Sequence, residues 1–308
     1  MEAMALAMVL LVTAWPAVTP SLHAAGGAAP VQDVRVTRWT TADGLPQGTV
    51  NALYQAPDGE LWLATFGGLL RFDGVRFHTY DLDSHPDLPS SRITALAQGN
   101  GGSGASEDLW ALTQYGHAFR LTRGRIAEVH DPPGDGVQSI ALEVVGDQLW
   151  SRHVAGPLYR LADGVWSEIR PALEKSTGYH SLARLGDGLL ATDGDRLLEF
   201  DAAGGLRAEW PAPAHSISLA PDPTGGAWIG MVDGLARLEG GVLKRVDCEP
   251  RLDARVTAIV PDGAGGVWIG TAEGPRHVRH VGGGPVRPGT PPPEVEGVSG
   301  SSRPFDWG

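Results

Sequence analysis

The chain has 308 residues, and 36 acidic against 24 basic side chains give it a formal net charge of −12. That balance excludes a binder of phosphate backbones or anionic lipid held by bulk charge. Glycine (43) and proline (24) make up about a fifth of the chain, yet 42% of its residues are apolar, so it has a core to bury and many turns to make. A single cysteine, Cys248, excludes an internal disulfide and a multi-cysteine metal site.

Residues 1–25 read as a secretory signal. Ala3 to Val18 is an apolar run, and Leu22-His23-Ala24 offers a small residue before a cleavage point. The run is short for a membrane span, although a retained N-terminal anchor is the alternative. Residues 26–33 are a small-residue linker, and 34–281 carry all the periodic structure. Val34 to Thr40 alternates like a strand and leads into the turn Asp43-Gly44-Leu45-Pro46. Val50 to Tyr54 is the next strand. The stretch Asp58 to Gly74 then reads turn, strand, turn, strand, turn, with Asp58-Gly59, Gly67-Gly68 and Asp73-Gly74 as the turns.

That unit recurs. Trp62, Trp110, Trp150, Leu190, Trp228 and Trp268 occupy one position in successive units, spaced by 48, 40, 40, 38 and 40 residues. The first interval is longer because Gly99 to Glu107 is a glycine-serine insertion. A period near 40 with one strand-borne aromatic predicts an all-β fold, a β-propeller of four-stranded blades. A strand of the form apolar-x-Arg-apolar follows each Trp strand: Leu70-Arg71-Phe72, Phe119-Arg120-Leu121, Tyr159-Arg160-Leu161 and Ala236-Arg237-Leu238. The fourth unit has Leu198-Glu199-Phe200 there. One blade cannot bury both faces of its sheet, so the repeated Trp is structural, filling the gap between neighbouring sheets.

Six units are visible. The sixth, Val256 to His280, shows three strands and weakens after Gly274, where Pro275 replaces an apolar residue and His277 stands in place of Arg. Pairing Val34 to Thr40 with it as an outer strand would close a six-bladed ring and remove free edges. Residues 282–308, rich in Gly, Pro and Ser, read as a disordered tail, and the abrupt change suggests a truncated or frame-shifted end.

Three segments carry a family resemblance. They are Trp39 followed by Asp43-Gly44-Leu45-Pro46, then Asn51-Ala52-Leu53-Tyr54-Gln55, then Asp58-Gly59 through Leu61-Trp62-Leu63-Ala64-Thr65 to Asp73-Gly74. Together they resemble the two-component regulator propeller repeat, which returns at Val256-Thr257-Ala258-Ile259 with Gly266 to Thr271. The resemblance implies an exported or periplasmic sensor region, commonly of seven blades. It is followed by a β-sandwich, a membrane helix and a histidine kinase or diguanylate cyclase. This chain shows six units and none of those later parts.

No Walker loop, HExxH or GxSxG is present, and no cofactor or metal is called for. His277-x-x-His280 has metal spacing, but solvated histidines explain it better. Asp131 and Asp135, like Asp193 and Asp195, are explained as turn formers. The candidate ligand site comes from position. Residues just past each Trp strand enter loops at one end of the central channel, and there Phe66, Gln114, Tyr115, His153 and Asp193 depart from the repeat with polar or aromatic side chains. The expected function is non-catalytic sensing of a small molecule or glycan, passed to a membrane-bound kinase or cyclase, with no nucleic acid involved. The alternatives are an exported propeller enzyme, lyase-like with His153 and Asp193, or a glycan-binding module.

Overall fold

A computed structural model of the chain describes residues 37, 39–99, 108–132, 134, 138–154, 157–170, 181–193, 196–212, 216–246, 252–263 and 265–278, and the backbone of Val295–Gly297. The expected leader and linker, 1–33, lie outside the described residues. Each unit of the repeat folds into one antiparallel sheet whose four strands follow sequence order, giving six sheets. The first holds β1 (Ala52–Gln55), β2 (Leu61–Thr65), β3 (Gly68–Phe72) and β4 (Phe77–Tyr80). The second holds β5 (Ile93–Gln98), β6 (Asp108–Thr113), β7 (Ala118–Thr122) and β8 (Arg125–His130). The third holds β9 (Ser139–Val145), β10 (Gln148–His153), β11 (Leu158–Ala162) and β12 (Val165–Arg170). The fourth holds β13 (Leu182–Leu185), β14 (Gly188–Asp193), β15 (Arg196–Phe200) and β16 (Leu206–Pro211). The fifth holds β17 (Ser216–Pro221), β18 (Ala227–Met231), β19 (Gly234–Glu239) and β20 (Val242–Arg245). The sixth holds β21 (Ala258–Pro261), β22 (Val267–Thr271), β23 (Gly274–Val278) and β24 (Val295–Gly297). The chain is a six-bladed β-propeller.

The second strands of the four inner sheets are largely buried on both faces because each sits between two other sheets. In β14, Leu189 and Ala191 pack on Trp150 and Leu158 of the third sheet, while Leu190 packs toward Ile229 and Ala236 of the fifth. The period of two sends alternate residues to opposite neighbours. Inner strands are also stitched across blades. Asn51 Nδ2 donates to the Ile93 carbonyl at 2.8 Å, and Ser218 Oγ donates to the Val256 carbonyl at 3.0 Å.

The Trp and Arg of the repeat are cross-strand partners. Trp62 stands opposite Arg71, Trp110 opposite Arg120, Trp150 opposite Arg160 and Trp228 opposite Arg237. The Arg120 and Arg237 guanidiniums lie 5.9 Å and 5.1 Å from their Trp ring centroids, a cation–π arrangement. An acid meets the same charge from the other side: Asp108 at 2.9 Å from Arg120, and Asp222 at 2.6 Å from Arg237. In the fourth sheet Leu190 faces Glu199, so the Arg disappears with its Trp.

Two expectations change at the ends of the chain. Val34 to Thr40 does not supply the sixth sheet's outer strand; β24 pairs with β23 there. Of that N-terminal segment, Thr37, Trp39 and Thr40 are described and none is in a strand. Trp39 instead packs edge-on against Phe72 at 5.2 Å and, with Leu45, covers the outward face of the first sheet. The sixth unit does not decay at Pro275. β23 runs to Val278, and His277 takes the Arg position, stacking on Trp268 at 4.5 Å and bonding Asp262 at 2.8 Å. His280 lies outside the described residues, as does the 282–308 tail apart from Val295–Gly297.

The Asp43-Gly44-Leu45-Pro46 turn has a structural reason. Asp43 caps a single 3-10 turn by accepting from Thr40 N at 2.7 Å and Thr40 Oγ1 at 2.9 Å, and Gly44 follows in the left-handed region. Pro46 then rests on the β2–β3 turn, where a Cβ on Gly67 would lie 2.8 Å from Pro46 Cβ. Gly68, at φ +142, would place a Cβ 2.7 Å from the Tyr80 carbonyl oxygen. Both glycines are therefore fixed by close approach.

Candidate functional site at one end of the channel

Second strands end, and inner strands begin, at the same end of the ring. The last residues of the six second strands are Thr65, Thr113, His153, Asp193, Met231 and Thr271. The threonines do local work. Thr65 Oγ1 donates to the Gly68 carbonyl at 2.8 Å and accepts from Gly67 N at 3.1 Å, and Thr271 repeats this with Gly274 and Glu273. Thr113 Oγ1 accepts from His117 N at 3.0 Å. A hydroxyl at this position closes the turn into the third strand. His153, Asp193 and Met231 replace that hydroxyl with something else.

The five predicted site residues fall into two groups. Phe66 and Gln114 meet through Arg92, which sequence reasoning missed. The Arg92 guanidinium lies 4.2 Å from the Phe66 ring centroid, and its Nε donates to Gln114 Oε1. Gln114 N donates back to the Arg92 carbonyl at 2.7 Å, fixing the turn. Tyr115, next in the chain, is 52% exposed. This first group lies on the β2–β3 and β6–β7 turns, where the prediction put it, and offers an aromatic face, a guanidinium and an exposed phenol.

His153 and Asp193 are strand residues, fully buried, and not loop residues. Asp193 accepts from Arg152 Nη2 at 2.6 Å and from Arg170 Nε at 3.2 Å, so both carboxylate oxygens are engaged. Arg152 is 1% exposed. Its Nε and Nη1 have no hydrogen-bond partner, nor do Ser139 Oγ and Ser151 Oγ nearby in the same sheet. His153 turns the other way. Its ring packs on Tyr159 at 4.8 Å, and neither ring nitrogen finds a partner. Burial, and then the neighbouring Arg152 charge, push its pKa down to about 4, so the imidazole is neutral at pH 7. Ser139 connects the groups through backbone: its N donates to the Gln114 carbonyl at 3.1 Å, and it stands opposite His153 in the ladder. Arg152 was legible in principle. Two residues past the Trp, the other units carry Ala64, Leu112, Thr192, Gly230 and Gly270, against which an arginine stands out.

Chemically, the first group suits contact with a ligand at the channel mouth. The second is a closed ionic cluster that ties the third sheet to the fourth. Among the described residues no group of three His, Cys, Asp or Glu side chains is placed to hold a metal ion.

Residues 44–67 match the family model described as two component regulator propeller. This segment is similar to that repeat. It spans the Gly44 turn, β1, β2 and Gly67, so it covers the contacts just described between Pro46 and the β2–β3 turn. No curated protein matches the chain in sequence. Solved structures share its fold. Virginiamycin B lyase from Staphylococcus aureus aligns at TM-score 0.61 and 14% identity, over 74% of this chain and 80% of that one. A catalytically inactive form of that lyase with quinupristin aligns at TM-score 0.61 and 18% identity, over 78% and 82%. The extracellular domain of the hybrid two-component system BT4673 from B. thetaiotaomicron aligns at TM-score 0.57 and 18% identity, over 80% of this chain and 32% of that one. Such identities establish a common propeller architecture.

Proposed function

We propose that this propeller is the exported, non-catalytic sensing module of a two-component or cyclic-dinucleotide signalling system. In this reading it binds a small molecule or glycan at the channel end and passes the event to a membrane-bound kinase or cyclase. The regulator propeller repeat at 44–67 is the observation that carries this reading. The likeness to an extracellular two-component domain accords with it. Among the described residues no helix is long and apolar enough to cross a membrane. The Phe66, Arg92, Gln114 and Tyr115 group is the ligand contact. Its residues come from two sheets, so a ligand touching both would change how firmly they are clamped.

A lyase-like enzyme is the second reading, and the shape shared with virginiamycin B lyase favours it. That chemistry calls for His153 and Asp193 to reach a substrate. His153 is closed off from solvent, and Asp193 is bonded to two guanidiniums. The sensor reading asks nothing of either.

A thermal-shift screen of sugars and metabolites on the purified chain tests the proposal. A hit should weaken at least about tenfold on isothermal titration when Phe66 and Tyr115 are both changed to Ala. A hit untouched by that double change but abolished by His153→Gln, with turnover of the compound, would favour the enzyme.

A further inference from the structure

At the opposite end of the ring, a groove of about 500 Å³ runs between the first and second sheets. That volume falls in the range of small-ligand pockets, about 300–1,000 Å³. One wall is apolar, formed by Trp62, Leu109 and Leu121 with Ala56 and Pro57. Charges of both signs line the rest: Asp58, Glu60 and Asp108 against Arg71 and Arg123. The neighbouring groove between the second and third sheets is smaller, about 310 Å³, and there Arg120 and His130 pack against Trp110.

Three features mark the larger groove as prepared for a ligand. Tyr54 Oη is buried without a hydrogen-bond partner, and so is Arg71 Nε, which has Glu60 at 3.5 Å as an ion-pair neighbour only. Buried polar atoms left unpaired are costly and few in native structures. Burial, then the Asp58 charge, raise the Tyr54 phenol above its ordinary pKa, so it is a donor at neutral pH. The rim turn places Arg123 at φ +52, a left-handed conformation unfavourable for an arginine. Strained backbone of this kind clusters at ligand sites. Asp163 shares the conformation in the next sheet, where an aspartate tolerates it.

We propose that this groove binds a free α-amino acid with an apolar side chain. Its carboxylate would meet Arg71, Arg123 and the Tyr54 hydroxyl, its ammonium would meet Asp58 and Glu60, and its side chain would lie on Trp62, Leu109 and Leu121. Charge complementarity selects this class. A simple anion would face three carboxylates, a simple cation two guanidiniums, and a neutral sugar would leave both sets unmatched. The site is separate from the channel-end group, so it stands or falls apart from the sensing residues named above.

Isothermal titration of the full chain with leucine and phenylalanine tests the proposal, with N-acetyl-leucine, leucinamide and glucose as comparison arms. Binding of a free amino acid is expected, with each blocked arm at least about tenfold weaker. Tyr54→Phe, which keeps the ring and removes only the orphaned hydroxyl, and Arg123→Gly, which relieves the turn, are each expected to weaken binding about tenfold. Phe66→Ala is expected to leave it unchanged. The proposal is overturned if neither amino acid binds at about 10 mM. Equal binding of the blocked arms, binding of glucose alone, or indifference to both Tyr54→Phe and Arg123→Gly in stably folded variants would overturn it too.

Discussion

The first-to-second and third-to-fourth sheet junctions are cut from one repeat and treat charge in opposite ways. At the first, Arg71 lies opposite Trp62, and Glu60 meets its charge with both side chains still partly in water. At the second, the Trp–Arg rung of the fourth sheet has become Leu190 opposite Glu199, while Arg152 and Asp193 pair inside the protein. The difference teaches that departures from the repeat come in compensating pairs. A lone Arg152 would be a buried charge, and a lone Asp193 another. Together with Arg170 they form a clamp between sheets.

The clamp is the place to break the comparison with the largest effect. Asp193→Ala strands Arg152 and should cost about 3–5 kcal/mol in denaturant unfolding. Replacing the pair by Arg152→Met with Asp193→Leu should restore most of that loss, which a double-mutant cycle would resolve. Additive losses in the cycle would mean that the two residues do not act as a unit.

The third sheet also predicts a pH signature. Buried His153 stays neutral in the folded state down to about pH 4. Unfolded histidine takes a proton near pH 6.5, so its contribution is complete above 6.5 and falls as pH drops toward 4. Glu143 on β9 acts the other way, because burial raises its carboxyl to about 7. Its neutral form favours folding at low pH, and that benefit falls as pH rises from the ordinary carboxylate range to 7. The two slopes offset each other in the wild type between about pH 4.5 and 6.5. His153→Phe should therefore give a protein that loses stability as pH rises through that window, and Glu143→Gln one that gains it. Denaturant midpoints at three pH values would show the opposite tilts; parallel profiles would contradict the assignment.

The smallest effect belongs to the first junction. Glu60→Ala removes a partly exposed partner of Arg71 at 3.5 Å and should cost under about 1 kcal/mol. A loss as large as that of Asp193→Ala would erase the contrast between the junctions.

Fold was the more legible half. The 40-residue spacing of Trp62 through Trp268 stated the blade count, and the apolar-x-Arg pattern stated a ladder partner. Even Pro275 was harmless, since Gly270 opposite it leaves room on the sixth sheet. The ends were harder to read. Val34 to Thr40 alternates like a strand, yet Trp39 is drawn to the exposed face of Phe72, and burial outweighs local pattern. For the candidate site, the sequence marked Phe66, Gln114 and Tyr115 as departures near a turn, and that is where they lie. It could not tell that His153 and Asp193 are both buried: each stands three residues past the repeat's Trp position and faces the preceding sheet, His153 beside Tyr159 and Asp193 against Arg152 and Arg170. Arg92 was missed because it precedes a strand, away from the turns searched for departures, and Arg255 holds the same place in the sixth unit, so it did not stand out.

The two ends of the stack are finished separately. Trp39 and Leu45 cover one outer face, and Val295–Gly297 completes the sheet at the other. On the faces these terminal sheets turn toward each other, Leu53 and Val260 remain 45% and 61% exposed. A strand shared between first and last blades would hold such a ring shut through its backbone. Among the described residues the first and sixth sheets share no strand, so no hydrogen-bond ladder latches one to the other.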